Sequence, residues 1–445
     1  MNDREKILEQ IRQAGVVGAG GAGFPTYKKL GSPVDWIIAN GAECEPLLQK
    51  DRETMRRDAD ALIRGLQIMQ QLTGASRVCI AVKRKNEDVA EKLKPAAERA
   101  GFETFVYEDV YPAGDEYVLV YEITGRQIPP GGLPVQVGCV VDNVETIVNI
   151  AKAVDGQPVT DKYVTVCGAV KNPLTICVPV GTVLNECVEL AGGATVDRPV
   201  ALLGGVMMGG LTDNLDGPVT KVTGGIIVLP DDHYLYQRKS QARPTYTRIG
   251  HGQCDQCSMC TELCPRYLLG YPIQPHMVMR SLLMTGDDKD RVSLWSDYCC
   301  GCNVCSLIAC PEQLDPARIC MDTKKHLREY QLARTATELE TLMRPAHPAR
   351  KGREIPIQTL YQRLGLMPYN RKADFVELAH SPSRVEIPLA THIGQPAKPS
   401  VSVGDAVRVG QVIADVPPEA LGCPAHASIA GQVTHISANS IQITA

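Results

Sequence analysis

The chain has 445 residues, 46 Lys and Arg against 50 Asp and Glu, a formal net charge of −4, and 17 cysteines. At roughly 150 residues per domain this suggests on the order of three domains, and the balanced charge without long like-charge blocks speaks against nucleic acid or a membrane surface as partner. No run approaches ~18 apolar residues, and Met1-Asn2-Asp3-Arg4-Glu5-Lys6 lacks the apolar core of a secretion signal, so a cytoplasmic protein without membrane insertion is expected.

The chain opens on an amphipathic stretch in which Ile7, Leu8 and Ile11 share a helical face, a candidate helix for encapsulation or for a partner. It then enters Gly18-Ala19-Gly20-Gly21-Ala22-Gly23-Phe24-Pro25, whose glycine density no regular helix carries. The apolar run 36–39 follows, then a helical repeat of Met55, Ala59, Leu62, Leu66 and Met69. A strand is predicted over 77–82, a helix over 87–100, a strand over 104–107, and helices over 115–123 and 144–154. Alternation of strand and helix predicts an α/β domain with a mainly parallel sheet over 1–160.

From Tyr163 short strand-like pieces such as 164–168 and 226–230, punctuated by Gly and Pro, predict a small mixed domain over 161–235. A polar stretch, 231–253, leads into a cysteine-rich module over 245–345, helical at 277–283 and 317–333 and closed by a basic, proline-containing linker at 344–353. Turn signals every few residues predict a compact β domain over 380–445.

Nine cysteines fall between Cys254 and Cys310. Cys254, Cys257, Cys260 and Cys264-Pro265 reproduce the C-x2-C-x2-C-x3-C-P run of bacterial two-cluster ferredoxins; Cys299, Cys302, Cys305 and Cys310-Pro311 repeat it with one extra residue before the last cysteine. In such proteins the fourth cysteine of each run ligates the other cluster. That predicts Cys254, Cys257, Cys260 and Cys310 around one [4Fe–4S] cluster, and Cys299, Cys302, Cys305 and Cys264 around the second. Cys300 is the spare, although it could replace Cys299. A pair of zinc sites is the competing reading, but zinc knuckles contribute ligands in pairs, and no histidine interrupts either run.

A glycine-rich loop lets backbone N–H groups approach an anionic phosphate. Three polar motifs accompany it: Asn40-Gly41-Ala42-Glu43-Cys44-Glu45-Pro46 after a strand, Tyr111-Pro112-Ala113-Gly114-Asp115-Glu116 at a helix start, and Asp142-Asn143-Val144-Glu145-Thr146 at another. In open α/β sheets such loops converge beyond the carboxyl ends of the strands.

Together these motifs resemble the FMN- and NADH-binding subunit of respiratory complex I. They are more similar still to the C component of the Rnf complex and to the cobalamin reductases of propanediol-utilization microcompartments. In the latter family the barrel-sandwich segment follows the clusters, as it does here. The resemblance implies a multidomain α/β protein: a Rossmann-like FMN/NADH-binding domain, an SLBB-type β-grasp domain, a helical ferredoxin-like module with two [4Fe–4S] clusters, and a C-terminal barrel-sandwich hybrid β domain. It implies that Gly18, Gly20, Gly21 and Gly23 shape the FMN phosphate loop, that Lys29, Asn40, Asp142 and Asn143 contact the flavin, and that Glu43, Glu45 and Glu116 surround the nicotinamide. Ala42, Asp115 and Asp142 depart from complex I, which has Asp, Glu and Asn there. The segment Cys423-Pro424-Ala425-His426 resembles a lipoyl hairpin without the lysine at its tip, which implies a docking or structural module.

The implied activity is NADH-dependent reduction of cobalamin. Hydride carries two electrons and a cluster accepts one, so a flavin stands between them. Electrons are expected to pass from FMN to the first cluster, then the second, then to cob(III)alamin or cob(II)alamin. The implied partners are NADH, cobalamin or a cobalamin adenosyltransferase, and microcompartment shell proteins, within a bacterial microcompartment. The rival reading is an electron-relay protein, like Rnf C, that serves a protein acceptor.

Overall fold

The computed structural model describes residues 3–378 and 380–445. Strands Trp36–Gly41, Arg77–Lys83, Glu103–Tyr107 and Cys139–Asn143 form one wholly parallel sheet. Trp36–Gly41 and Arg77–Lys83 lie at its centre. Side chains alternate across a strand, so Ile37, Ala39, Val78, Ile80 and Val140 meet Leu62, Leu66, Met69, Val89 and Ile147 from the helices Ala59–Thr73, Glu87–Arg99 and Val144–Val154. The opening helix, Asp3–Gln13, uses its apolar stripe on this same core: Ile11 is buried, and Ile7 and Leu8 pack beside it.

The other face of the sheet, Trp36, Ile38, Cys79, Ala81 and Val141, packs on helix Glu116–Thr124 and on Cys264, Leu269, Tyr271 and Ile273 of the cysteine-rich module. A sheet buried on both faces is the parallel-sheet rule. Here much of the second covering layer comes from another domain.

A second, five-stranded sheet has the order Leu174–Pro179, Asp161–Gly168, Gly225–Pro230, Pro199–Leu203, Gly210–Thr212. One face holds helix Leu184–Leu190 through Leu184, Cys187 and Val188. Cys167, Leu202, Ile227 and Leu229 on the other face meet Cys302, Val304, Leu307 and Ile308. The cysteine module is therefore wedged between two sheets. The C-terminal segment folds into a four-stranded and a three-stranded sheet around Val385, Ile387, Ile413, Val433 and Ile441.

Two stretches differ from expectation. Residues 231–253, expected only as a polar stretch, form helices Tyr234–Ser240 and Arg243–Gln253. Few residues, chiefly Leu235 and Tyr246, anchor them in the cores, and so narrow an apolar face leaves little periodic signal. The basic segment after Arg344 is a strap. Arg350 is buried in an ion pair with Glu122, and Ile355–Pro356 pairs antiparallel with Val110–Tyr111. Helix Ile357–Arg363 then seats Leu360 and Tyr361 under the second sheet, where the Tyr361 hydroxyl accepts from the Leu47 amide at 2.9 Å.

Candidate functional site

The glycine loop is pinched shut at its base: the Gly18 amide donates to the Phe24 carbonyl at 2.9 Å, and Gly23 donates back to Gly18 at 3.2 Å. Gly20, Gly21 and Ala22 form an exposed tip. Gly21 at φ +119° and Gly23 at φ +65° adopt backbone that side chains disfavour. The loop is fixed from below, where the Ala19 amide donates to Thr146 Oγ1 at 2.9 Å and the Ala19 carbonyl accepts from Lys162 Nζ at 3.3 Å. From the C-terminal domain, the Ile393 amide donates to the Gly23 carbonyl at 3.0 Å.

Around this loop the strand ends bring together most of the residues expected there. Lys29 Nζ donates to the Val141 carbonyl and to Asp142 Oδ1, both at 2.9 Å. Burial pushes the Asp142 carboxyl up despite Lys29, and burial raises Glu116 likewise. Asn40 donates to the Gly114 carbonyl at 3.0 Å, tying the strand end to the Tyr111–Glu116 loop. Asn143 caps helix Val144–Val154 by accepting from the Glu145 amide at 3.0 Å, and its amide nitrogen donates to Asp51. A Cβ on Gly20 would stand 3.4 Å from the Asn143 side chain, so the loop tip lies over that cap. Asp142 Oδ2 is a buried acceptor without a partner among the described residues. An open glycine tip, flanking amides and an orphaned acceptor fit a bound flavin nucleotide.

The acidic residues separate in role. Glu43 is half-buried, and burial followed by the nearby Asp51 carboxylate pushes it up to about 8. Glu45 is buried, and its two oxygens accept from the Met207 and Met208 amides at 2.8 and 2.7 Å, joining the flavin sheet to the second domain. Sequence reasoning missed the charge network beneath: Lys50 bonds Asp51 at 2.5 Å and Glu145 at 3.1 Å, and Lys162 also pairs with Glu145. Burial opposes charge on Glu145, but Lys162 and Lys50 outweigh it and hold its carboxyl below the ordinary range. Burial brings Lys162 down to about 8 even so. Lys50-Asp51 directly after the Glu45-Pro46 motif was the available signal.

The cysteines gather into two cavities. Cys254, Cys257, Cys260 and Cys310 line one; Cys264, Cys299, Cys300, Cys302 and Cys305 line the other. The extra residue of the second run is absorbed by a turn of π-helix over Cys305–Ala309, the wide turn that accommodates one added residue and delivers Cys310 to the first cavity. Backbone amides point at thiols in both: Gly301 to Cys299 Sγ at 3.4 Å, and Leu314 to Cys310 Sγ at 3.3 Å. Cys260 and Cys305, one from each cavity, both pack on Ala317. Two thiol-lined cavities with convergent amides suit two cubane clusters.

Which cavity adjoins the flavin crevice is decided by the Tyr111–Glu116 loop. Tyr111 donates to the Cys302 carbonyl at 2.9 Å, and Asp115 pairs with Arg266, which lines the second cavity, at 2.8 Å. The first cavity packs instead on Met279 and Leu314, and Cys257 on its rim is exposed. The expected relay put the cluster of Cys254, Cys257, Cys260 and Cys310 first; the contacts of this loop are with the other cavity.

Comparison with known proteins finds four family domains along the chain. Residues 11–152 match the Nuo51 FMN-binding domain, 163–216 the SLBB domain, 253–315 a 4Fe-4S dicluster domain, and 363–445 the RnfC barrel sandwich hybrid domain. Cobalamin reductase PduS of Salmonella typhimurium is 44% identical over 440 residues, covering 99% of this chain and 96% of that protein; PduS of Citrobacter freundii is 43% identical, covering 99% and 97%. The C component of the proton-translocating ferredoxin:NAD(+) oxidoreductase complex of Clostridium ljungdahlii is 34% identical over 59% of this chain and 56% of its own. A crystal structure of NAD+-reducing [NiFe]-hydrogenase in the H2-reduced state shares the fold at TM-score 0.50 and 22% identity, over 77% of this chain and 63% of that one.

Proposed function

The chain belongs to the cobalamin reductase family represented by PduS, and on that premise we propose that it is an NADH-dependent oxidoreductase that delivers electrons to cobalamin through FMN and two [4Fe–4S] clusters. The glycine loop with Lys29, Asn40, Asp142 and Asn143 would hold FMN, with Glu43 and Glu116 on the nicotinamide side. Cys254, Cys257, Cys260 and Cys310 would hold one cluster, and Cys264, Cys299, Cys302 and Cys305 the other. FMN, when bound, takes up a hydride from NADH and releases its electrons one at a time, which suits both the clusters and a corrin acceptor.

The observation that carries this reading is the Tyr111–Glu116 loop. One short segment touches Asn40 in the flavin crevice through Gly114, and the second thiol cavity through Tyr111 and Asp115. It fixes the separation between donor and acceptor sites. The first cavity, with Cys257 at the surface, is the side from which electrons leave. Among the described residues no helix is long and apolar enough to cross a membrane. The family reading extends to a cytoplasmic microcompartment, with a cobalamin adenosyltransferase and shell proteins as partners. Co-purification with shells tests that part.

The central test is an anaerobic titration of the reconstituted protein with NADH, then aquacobalamin, following flavin, cluster and corrin absorbance together. Enzyme-dependent formation of cob(II)alamin supports the reading. Reduced flavin and clusters with an unchanged corrin would make the chain a relay to a protein acceptor.

A further inference from the structure

Arg266 follows the Cys264-Pro265 pair and is 8% exposed. Its guanidinium is held on one side by Asp115, Nη2 to Oδ2 at 2.8 Å, and lies 3.5 Å from the centroid of the Tyr117 ring. Asp115 is itself fixed, because its other oxygen caps helix Glu116–Thr124 by accepting from the Tyr117 and Val118 amides at 3.0 and 3.2 Å. The guanidinium therefore has one orientation. In that orientation Nε is buried without a partner among the described residues, and the side chain lines the cavity of Cys264, Cys299, Cys300, Cys302 and Cys305.

A buried N–H left unpaired is costly, and native structures rarely keep one without a reason. The thiol cavity supplies the reason. A cubane held by four thiolates is anionic, carries sulfur acceptors on every face, and gains one further negative charge, with no proton and no bond change, when it takes an electron. Hydrogen bonds and charge at the sulfurs set the potential of such a cluster. We propose that Arg266 is a positioning residue for electron transfer: its Nε–H donates to a sulfur of the flavin-side cluster, its charge favours the reduced form, and Asp115 aims it from the flavin domain. The electron is thereby drawn from the flavin crevice onto this cluster. This rests on reading the cavity as a cluster site.

The alternative role for Arg266 is a staple between domains through Asp115. Potentiometric titration followed by EPR separates the two, with iron and acid-labile sulfide measured on every sample. Wild-type protein lacking iron after reconstitution would sink the cluster reading itself. Given two clusters, Arg266→Gln is expected to keep its iron and to move one of the two midpoint potentials negative by at least a ten-fold change in the reduction equilibrium, about 59 mV for one electron, leaving the other in place. Asp115→Asn, which frees the guanidinium, should give a smaller shift of the same potential. Unchanged potentials, or an equal shift of both, would overturn the proposal. Should Arg266→Gln lose iron, Arg266→Lys decides by the same criterion, because lysine keeps the charge and the tie to Asp115 but has no Nε–H.

Discussion

Tyr111 donates its hydroxyl to the carbonyl of Cys302 at 2.9 Å, a buried bond between residues 191 apart in sequence. It joins the flavin crevice to the loop that carries four of the five second-cavity thiols.

Tyr111→Phe removes that donor and leaves a buried carbonyl unpaired, a loss of about 1–3 kcal/mol. The variant is expected to release iron at lower urea than wild type, read as loss of cluster absorbance, while the flavin dissociates less readily than the iron. Coincident release in both proteins would show that the bond contributes nothing.

Cys299 and Cys300 both face the second cavity, but among the described residues only Cys299 of the two receives a backbone amide, from Gly301 at 3.4 Å. Amide-to-thiolate bonds are a regular feature of cluster ligands. Cys299→Ser should lose about half of the iron, one cluster of two, and Cys300→Ser should retain it. The reverse pattern in iron content and EPR would assign the ligand to Cys300.

His426 is buried beside Lys221, and burial, then the Lys221 ammonium, push it down to about 3. Between the unfolded value of 6.5 and about 3 only the unfolded chain binds this proton, so stability falls as pH falls through that window. Moving from pH 7 to pH 5 should cost about 2 kcal/mol through this group. His426→Asn, with no titration, should reduce the difference in urea midpoint between the two pH values; an undiminished difference would assign it to other groups.

Glu43, raised to about 8, is mostly protonated at pH 7. On the proposed nicotinamide side it would ionise as pH rises through about 8 and then repel the dinucleotide phosphates. The KM for NADH is expected to rise about five-fold between pH 7 and 9, the equivalent of the ~1 kcal/mol between unit charges 4 Å apart in water. Glu43→Gln should flatten that rise, and a parallel rise in the variant would remove Glu43 from the site.

The cysteine spacing and the glycine loop were readable because each is local: Cys254 to Cys264 and Gly18 to Gly23 impose their chemistry within one turn of chain. What connects them was not. Asp115 and Arg266 are 151 residues apart, and each reads alone as a solvated loop charge. Which cavity lies beside the crevice depends on that contact, which spacing along the chain does not show. Arg350 looked like part of a basic linker, because sequence shows its charge but not the Glu122 carboxylate that receives it. The acid Glu45 sits in a motif that marks the crevice, yet the Met207 and Met208 amides that engage it come from a domain with no spacing relation to it.

The flavin sheet borrows much of its second covering from the cysteine module, through Cys264, Leu269, Tyr271 and Ile273. A flavodomain excised near residue 160 would keep helix Glu116–Thr124 over part of that face but would bare the apolar surface that Leu269, Tyr271 and Ile273 cover in the whole chain, so the module that would carry the clusters also keeps its neighbour soluble.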